Sequence, residues 1–353
     1  MKSNQYGLGI DNVTEFEVAT PTGKLVVANN KKKRDLFEAL KGGGNNFGIV
    51  TRFTLKTHLA RKTYGATISY KDSEAKQVKV AILNFIKREQ DETLSMVAAF
   101  RHIQQRDGKV KYTIDVTCFW NGRKTKKTAV TNKALFTGFK KIKGGGDNKL
   151  WKSRPLGWGR AEDGVVLSPG KTLPRLEAQR GRFGCIMVYS INKAIIDEVE
   201  KQAKRCAKGM KKNGGIMVMI DVWPFRQGIF QKGTRSAWPP RLDPNKKIKS
   251  FFPLLAYFQW ESPSFDKFWL DKMKSALESI RKVALKTKAS VRGIPTYSNT
   301  SLETVTAKEV YGKALPWLSE VKRKYDPKNV MGLTGGVKIP VSKGTAQTKK
   351  ARK

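Results

Sequence analysis

Few side chains in this sequence have the type and spacing that chemistry demands. The three cysteines, Cys118, Cys185 and Cys206, lack the CxxC spacing of a zinc site and are too few for a disulfide framework. Two histidines, His58 and His102, do not make a His-rich metal cluster, so no metal site is expected. Cys206 shares a helical face with Ile195, Ile196, Val199, Ala203 and Met210 and reads as a small core residue. Cys118 and Cys185 sit inside strand patterns and read the same way. His102 closes a strand beside Arg101 and reads as a hydrogen-bonded histidine rather than a catalyst.

Backbone is the other source of chemistry. Gly42-Gly43-Gly44-Asn45-Asn46-Phe47-Gly48 follows a helix pattern and precedes a strand pattern. A P-loop or a dinucleotide fingerprint has the reverse order, with glycines after a strand and opening a helix. Two readings stand: a tight helix-to-strand turn that needs positive φ, and a bare backbone approaching a flat, phosphate-bearing ligand. Asp11-Asn12 is ordinary turn chemistry on its own.

The elements that must position these residues are legible in the periodicity. Val13–Ala19 alternates apolar and polar residues as a strand, Pro21 to Lys24 turns, and Leu25-Val26-Val27 returns. Asp35 opens a short helix over Leu36–Leu40, and Ile49–Leu55 is another strand. Further strands are expected at Tyr64–Tyr70, Leu94–Phe100, Tyr112–Trp120, Phe183–Tyr189, Ile216–Trp223 and Leu254–Trp260. Helices are expected at Ser73–Arg88, Lys193–Met210, Phe265–Leu285 and Ala307–Tyr325. Residues 143–180 and 226–250 read as long loops, and Val341–Lys353 as a basic disordered tail. No internal repeat is visible. The class is α+β, with an antiparallel sheet backed by helices.

Composition narrows the partners. The 353 residues carry 50 Lys and 20 Arg against 29 acidic residues, a net charge of +41. Such a field attracts polyanions: nucleic acid, heparin-like sugars or an anionic surface. Sites that read phosphates or bases lean on the bidentate arginine fork. Here lysine dominates and is dispersed, so the charge reads either as a solvated surface or as unspecific polyanion binding. The tail residues Lys349, Lys350, Arg352 and Lys353 belong to the second reading. No uncharged apolar run reaches membrane-spanning length and no signal-peptide core is visible, so the sequence assigns no compartment.

Tyr6-Gly7-Leu8-Gly9-Ile10-Asp11-Asn12-Val13, followed by Asp35 to Thr51 with its glycine run, closely resembles the FAD-linked oxidases of the berberine-bridge-enzyme-like group, of the vanillyl-alcohol-oxidase type. Tyr325-Asp326-Pro327-Lys328-Asn329-Val330-Met331 is similar to the C-terminal motif of that family, and Tyr297-Ser298-Asn299 to its Tyr-x-Asn segment. Asp221-Val222-Trp223-Pro224-Phe225 and Leu333 to Gly336 have the flavour of the fungal branch.

The resemblance implies FAD as cofactor and a lobe of the PCMH type. Residues 1–57 would form its second half, 58–305 a substrate lobe, 306–340 a return to the FAD lobe, and 341–353 the tail. It implies flavin-side roles for Gly7, Gly9, Asp11, Asn12, Gly43, Gly44, Phe47, Gly48, Val50 and Asn329. Oxidation in the family takes a hydroxyl or amine proton onto a base while hydride passes to the flavin. Tyr297 is the first candidate base. Asp221 is the second, as the titratable member of the alternating set Met217, Met219, Asp221. The sequence also reads as an N-terminally truncated relative. The family's pyrophosphate loop, covalent His and covalent Cys would precede the Tyr6-Gly7 block, leaving a fragment that is inactive alone unless a partner segment completes it.

Overall fold

The computed structural model describes residues 2–59, 64–89, 91–121, 136–143, 151–152, 180–243, 245 and 248–342. In chain order the first elements are α1 (Ser3–Tyr6), β1 (Val13–Ala19), β2 (Leu25–Asn29), α2 (Arg34–Leu40), β3 (Ile49–Leu55), β4 (Tyr64–Tyr70) and α3 (Ala75–Arg88). Then come β5 (Leu94–Gln104), β6 (Val110–Trp120), α4 (Thr137–Lys140), β7 (Trp151–Lys152), β8 (Arg180–Val188), α5 (Lys193–Ala207) and β9 (Gly215–Val222). The last are β10 (Phe252–Trp260), α6 (Asp266–Lys286), α7 (Ala307–Tyr311) and α8 (Leu315–Tyr325). The chain divides into a larger unit, Met1–Leu8, Thr57–Lys232 and Ile248–Leu302, and a smaller one, Gly9–Lys56, Gly233–Lys247 and Glu303–Lys353. Met1–Leu8 therefore belongs with the larger unit and Gly233–Lys247 with the smaller. The reading from sequence drew its boundaries at 57/58 and 305/306 instead.

The larger unit is one antiparallel sheet in the order β7-β4-β6-β5-β9-β10-β8. One face is apolar: Ile68, Met96, Ala98, Phe100, Ile114, Val116, Ile186, Val218, Ile220, Leu254 and Phe258 alternate inward. Three amphipathic helices cover it. Helix α3 buries Val78 and Ile82, α5 buries Ile195, Val199 and Cys206, and α6 buries Trp269, Met273 and Ile280, all at helical spacing. Asn192 caps α5 by accepting from the Ile195 N–H at 3.0 Å.

Repetition is present in topology where none shows in the sequence. β4-α3-β5-β6 places its strands in the order β4-β6-β5, and β8-α5-β9-β10 places its own in the order β8-β10-β9. The two βαββ units meet antiparallel at β5 and β9, with Phe100 opposite Ile220. Among the described residues the sheet has a seventh strand, the two-residue β7, beyond the six expected. Most of residues 143–180, with the tail from 343 onward, lie outside the described residues.

In the smaller unit β1 lies between β2 and β3, all antiparallel. The helix expected over Ala307–Tyr325 is two, α7 and α8. Gly312 takes φ +48° and Pro316 opens α8, where proline is tolerated only in the first turn.

Candidate active site

The sheet face turned away from the helices carries the candidate base Asp221 and its charged neighbours. Strand register places Ser69, Asp115, Ala99, Asp221, Leu255 and Cys185 in one row across six strands. One pleat along, Thr113, Arg101, Met219, Tyr257 and Phe183 form a second row. Ala99, with its single methyl, thus separates two buried carboxyls, Asp115 and Asp221. Arg101 ion-pairs with Asp115.

Asp221 is 4% exposed. Burial pushes its carboxyl up to about 7; the Trp223 indole and Arg101 oppose that rise and Asp115 adds to it. Trp223 Nε1 donates to Asp221 Oδ2 at 3.3 Å. Asp221 Oδ1, Asp115 Oδ1 and Arg101 Nε are buried with no hydrogen-bond partner among the described residues. A strand interior seldom leaves such atoms unmatched. An unmatched acceptor on Asp115 and an unmatched donor on Arg101 therefore share this face with a carboxyl able to exchange its proton near neutrality.

Tyr297 follows α6 and the loop after it. Its hydroxyl accepts from Asn299 Nδ2 at 3.0 Å, and burial raises its phenol. Its backbone carbonyl accepts from Ser301 Oγ at 2.7 Å and lies 3.7 Å from Cys185 Sγ. Cys185 stands two strands beyond Asp221 in the same row, roughly 10 Å away at ordinary strand spacing. The two candidate bases thus belong to one unit, and both are tied to one row of its sheet.

The flavin-side candidates fall in the smaller unit, apart from Gly7, which caps α1 in the larger one with φ +80°. The glycine run is a tight helix-to-strand turn. A Cβ on Gly43 would lie 2.2 Å from the Ala39 carbonyl, and one on Gly48, at φ +150°, 2.6 Å from that of Ala19. Packing alone accounts for those two. Gly44, at φ +66°, would make only ordinary contacts, and Gly9 has nothing within 4 Å of a Cβ.

A buried network holds this turn from far along the chain. Tyr311 donates to the Gly43 carbonyl at 3.1 Å, and Lys322 to the Asn46 carbonyl at 3.0 Å and to Asp326 at 2.8 Å. Asp326 also accepts from the N–H groups of Val330 and Met331. The glycine and Asp-Pro motifs are therefore parts of one clasp. Asn329 takes the left-handed conformation within it, at φ +54°. Phe47 is fully buried and Val50 partly so. The Asp11 carboxylate meets Arg241 at 2.6 Å in a buried pair, and the Asn12 carbonyl accepts from the Lys56 N–H at 2.7 Å. Lys349, Lys350, Arg352 and Lys353 lie outside the described residues.

All three cysteines are buried and free, and burial raises each thiol. Burial lowers His102 to about 4 as it stacks on Tyr112, with ring centres 4.5 Å apart. No three His, Cys, Asp or Glu residues among those described gather to hold a metal. No described helix is long and apolar enough to cross a membrane. Reasoning from sequence missed Arg101 and Asp115. The available signal was a charge inside a strand, Asp115 between the core residues Ile114 and Val116.

No protein-family profile matches the chain. An FAD-dependent monooxygenase of Arthrobotrys oligospora is 37% identical over 100 residues, 28% of this chain and 20% of that protein. The FAD-linked oxidoreductase easE of Aspergillus fumigatus is 57% identical over 54 residues, 15% of this chain and 9% of that one. The matched segments thus span a fifth or less of these relatives. Among solved structures, berberine bridge enzyme in complex with (S)-reticuline superposes with a TM-score of 0.66 at 16% identity, over 97% of this chain and 68% of that one. Carbohydrate oxidase from Microdochium nivale gives 0.62 at 17%, over 97% and 69%. In sequence the chain is similar to fungal FAD-linked oxidoreductases, and its fold is that of the berberine-bridge-enzyme-like FAD oxidases.

Proposed function

We propose that this chain is the substrate-binding and part of the cofactor-binding machinery of an FAD-linked oxidoreductase acting on an alcohol or amine of a sugar or secondary metabolite. The observation that carries the reading is Asp221, a buried carboxyl on the polar sheet face, poised near neutrality beside the Arg101–Asp115 pair. A base whose proton affinity matches the working pH is the most effective acceptor. Asp221 takes the hydroxyl or amine proton. Arg101 and Asp115 orient the polar group through their unanswered atoms, and Tyr297 is the alternative acceptor. FAD, when bound, supplies the hydride acceptor. The bare backbone at Gly9 and Gly44 fits a flavin-side role, because no side chain there obstructs close approach.

In this reading the chain supplies only part of the FAD site and is expected to hold FAD weakly by itself, since it covers 68–69% of the FAD oxidases on which it superposes. The test is a visible spectrum. Weak or absent flavin bands are expected for the isolated protein, and bands once the rest of a relative's FAD lobe is supplied. Failure to take up FAD even when that lobe is supplied overturns the reading. In the flavin-loaded protein, Asp221→Asn should lower turnover by about 10²–10⁴ while the flavin spectrum is kept.

Net charge favours a second reading, unspecific binding of nucleic acid or another polyanion by a +41 chain. Affinity should fall linearly as log salt rises, and the tail lysines should contribute to the slope. No retention on heparin at about 50 mM salt, where such binding is strong, would rule it out.

A further inference from the structure

A cavity lies on the helix-covered side of the large sheet, away from Asp221. Leu94 and Phe252 face the helices in phase with Ala98 and Leu254, whereas Asp221 alternates to the opposite face. Phe85 and Ile86 from the last turn of α3, Ile191 ahead of α5 and Phe225 after β9 complete an apolar space of about 290 Å³. Every residue of its wall belongs to the larger unit. An apolar cavity of about 150 Å³ holds one benzene ring, so this one has room for two fused rings. Apolar and aromatic walls with a few placed polar groups are the usual make-up of a small-molecule site.

Hydrogen bonds from distant parts of the chain hold the wall in place. Asn4, 4% exposed, donates to the Leu94 carbonyl at 3.1 Å and accepts from the Arg226 N–H at 3.0 Å. Arg226 Nη1 donates to the Glu89 carbonyl at 3.2 Å, and Gln227 Nε2 to the Tyr189 carbonyl at 3.0 Å. Ser190 and Gln227, the exposed residues of the wall, form the mouth. A site framed before its ligand arrives loses little to ordering on binding.

Charge selects the ligand's head group. Lys249 stands over the ring of Tyr189, a wall residue, with Nζ 4.8 Å from the ring centre. Arg226 adds a guanidinium to the wall. The acid of the wall, Glu89, is already engaged, its Oε1 accepting from the Asp91 N–H at 2.7 Å. Two cations thus stand against one carboxylate, in a chain whose net +41 draws anions inward.

We propose that this cavity binds a small aromatic carboxylate, with its fused rings among Phe85, Phe225 and Phe252 and its carboxylate toward Lys249. Ring-on-ring packing favours an aromatic body over an aliphatic chain. The site is on the other side of the sheet from Asp221 and does not need the flavin reading.

Equilibrium dialysis of the full chain against 2-naphthoate tests it. A Kd below about 1 mM is expected for a ligand of so few atoms. 2-Naphthylmethanol, which keeps the rings without the charge, and octanoate, which keeps the charge without the rings, should each bind about tenfold more weakly. Ser190→Trp places a ring in the mouth and Phe225→Ala removes one from the wall. Each should weaken naphthoate by about tenfold with the circular dichroism spectrum unchanged. If Phe225→Ala unfolds the chain, Ser190→Trp, at an exposed position, carries the test. Lys249→Gln should erase the preference for naphthoate over the alcohol. No uptake at millimolar naphthoate overturns the proposal, as does equal uptake of octanoate or of the alcohol. Because a +41 chain also gathers anions unspecifically, uptake unmoved by Ser190→Trp would place the ligand elsewhere and overturn it too. No arm requires flavin, so uptake of naphthoate and uptake of FAD succeed or fail separately.

Discussion

Two buried ion pairs in this protein contrast in how completely they are answered. In the smaller unit, Lys322 and Asp326 are both fully buried, and each is tied to further backbone groups, Lys322 to the Asn46 carbonyl and Asp326 to the N–H groups of Val330 and Met331. In the larger unit, Arg101 and Asp115 are paired, yet each keeps a buried atom with no described partner, as does neighbouring Asp221. A buried charge that is fully hydrogen-bonded fixes structure, whereas one left partly unmatched costs free energy and has to be kept for another reason. On the proposed reading, the contrast leaves Lys322 and Asp326 to architecture and makes Asp115, Arg101 and Asp221 the group to test for chemistry.

The strongest challenge to that assignment is Lys322→Met. It strands Asp326 and releases the Asn46 carbonyl, so denaturant unfolding should register a loss of about 3–5 kcal/mol. A loss below about 1 kcal/mol, the range of a surface pair, would mean the clasp is not structural.

Asp221 should leave its mark on the pH dependence. Its folded carboxyl is raised from 3.8 to about 7, so the folded state keeps a proton that the unfolded chain has released. Stability contributed at low pH is therefore lost as pH rises from about 4 to about 7, on the order of 4 kcal/mol. Asp221→Asn should remove that slope, read as the urea midpoint at pH 5 against pH 8. An unchanged slope would place the titration elsewhere.

On the opposite face of the same sheet, His102 should do the reverse. Its folded value is lowered from 6.5 to about 4, so the unfolded chain takes up the proton first on acidification. Stability is then lost as pH falls from about 6.5 to about 4, on the order of 3 kcal/mol. In His102→Phe that acid limb should disappear and the slope due to Asp221 should stand out. A curve identical to the parent's would show that His102 is not the group titrating.

The smallest effect is expected at Arg52–Glu17, where the arginine side chain is 61% exposed. Arg52→Ala should change stability by less than about 1 kcal/mol, and added salt should shrink even that.

How much of this was legible in the sequence depended on the range of the interaction. Local periodicity placed the strands and helices of the larger unit to within a few residues, because one face of each faces a single apolar core. Local chemistry also split the expected helix at Gly312-Lys313-Ala314-Leu315-Pro316, a break that the apolar pattern concealed. The glycine motif was visible as letters, but the reason for its glycines was not. Gly43 is small because Ala39 and Phe47 crowd it, and its carbonyl is held by Tyr311, 268 residues away. Likewise Asp115 and Asp221 become neighbours only through Ala99, and no linear pattern encodes that register.

The paired βαββ units also bear on how the chain reaches its native state. Within each unit, strands pair over short or moderate separations; β5 and β6 are joined by the five residues 105–109. The seam between the units joins Ala98 to Val222 and Ile103 to Met217, separations of more than a hundred residues. Closing so long a loop costs entropy before any seam contact repays it. The halves are therefore expected to condense first and dock second, with β5 and β9 meeting late in the transition. Folding rate should then respond more to substitutions inside the β5–β6 hairpin, and unfolding rate more to those at the seam.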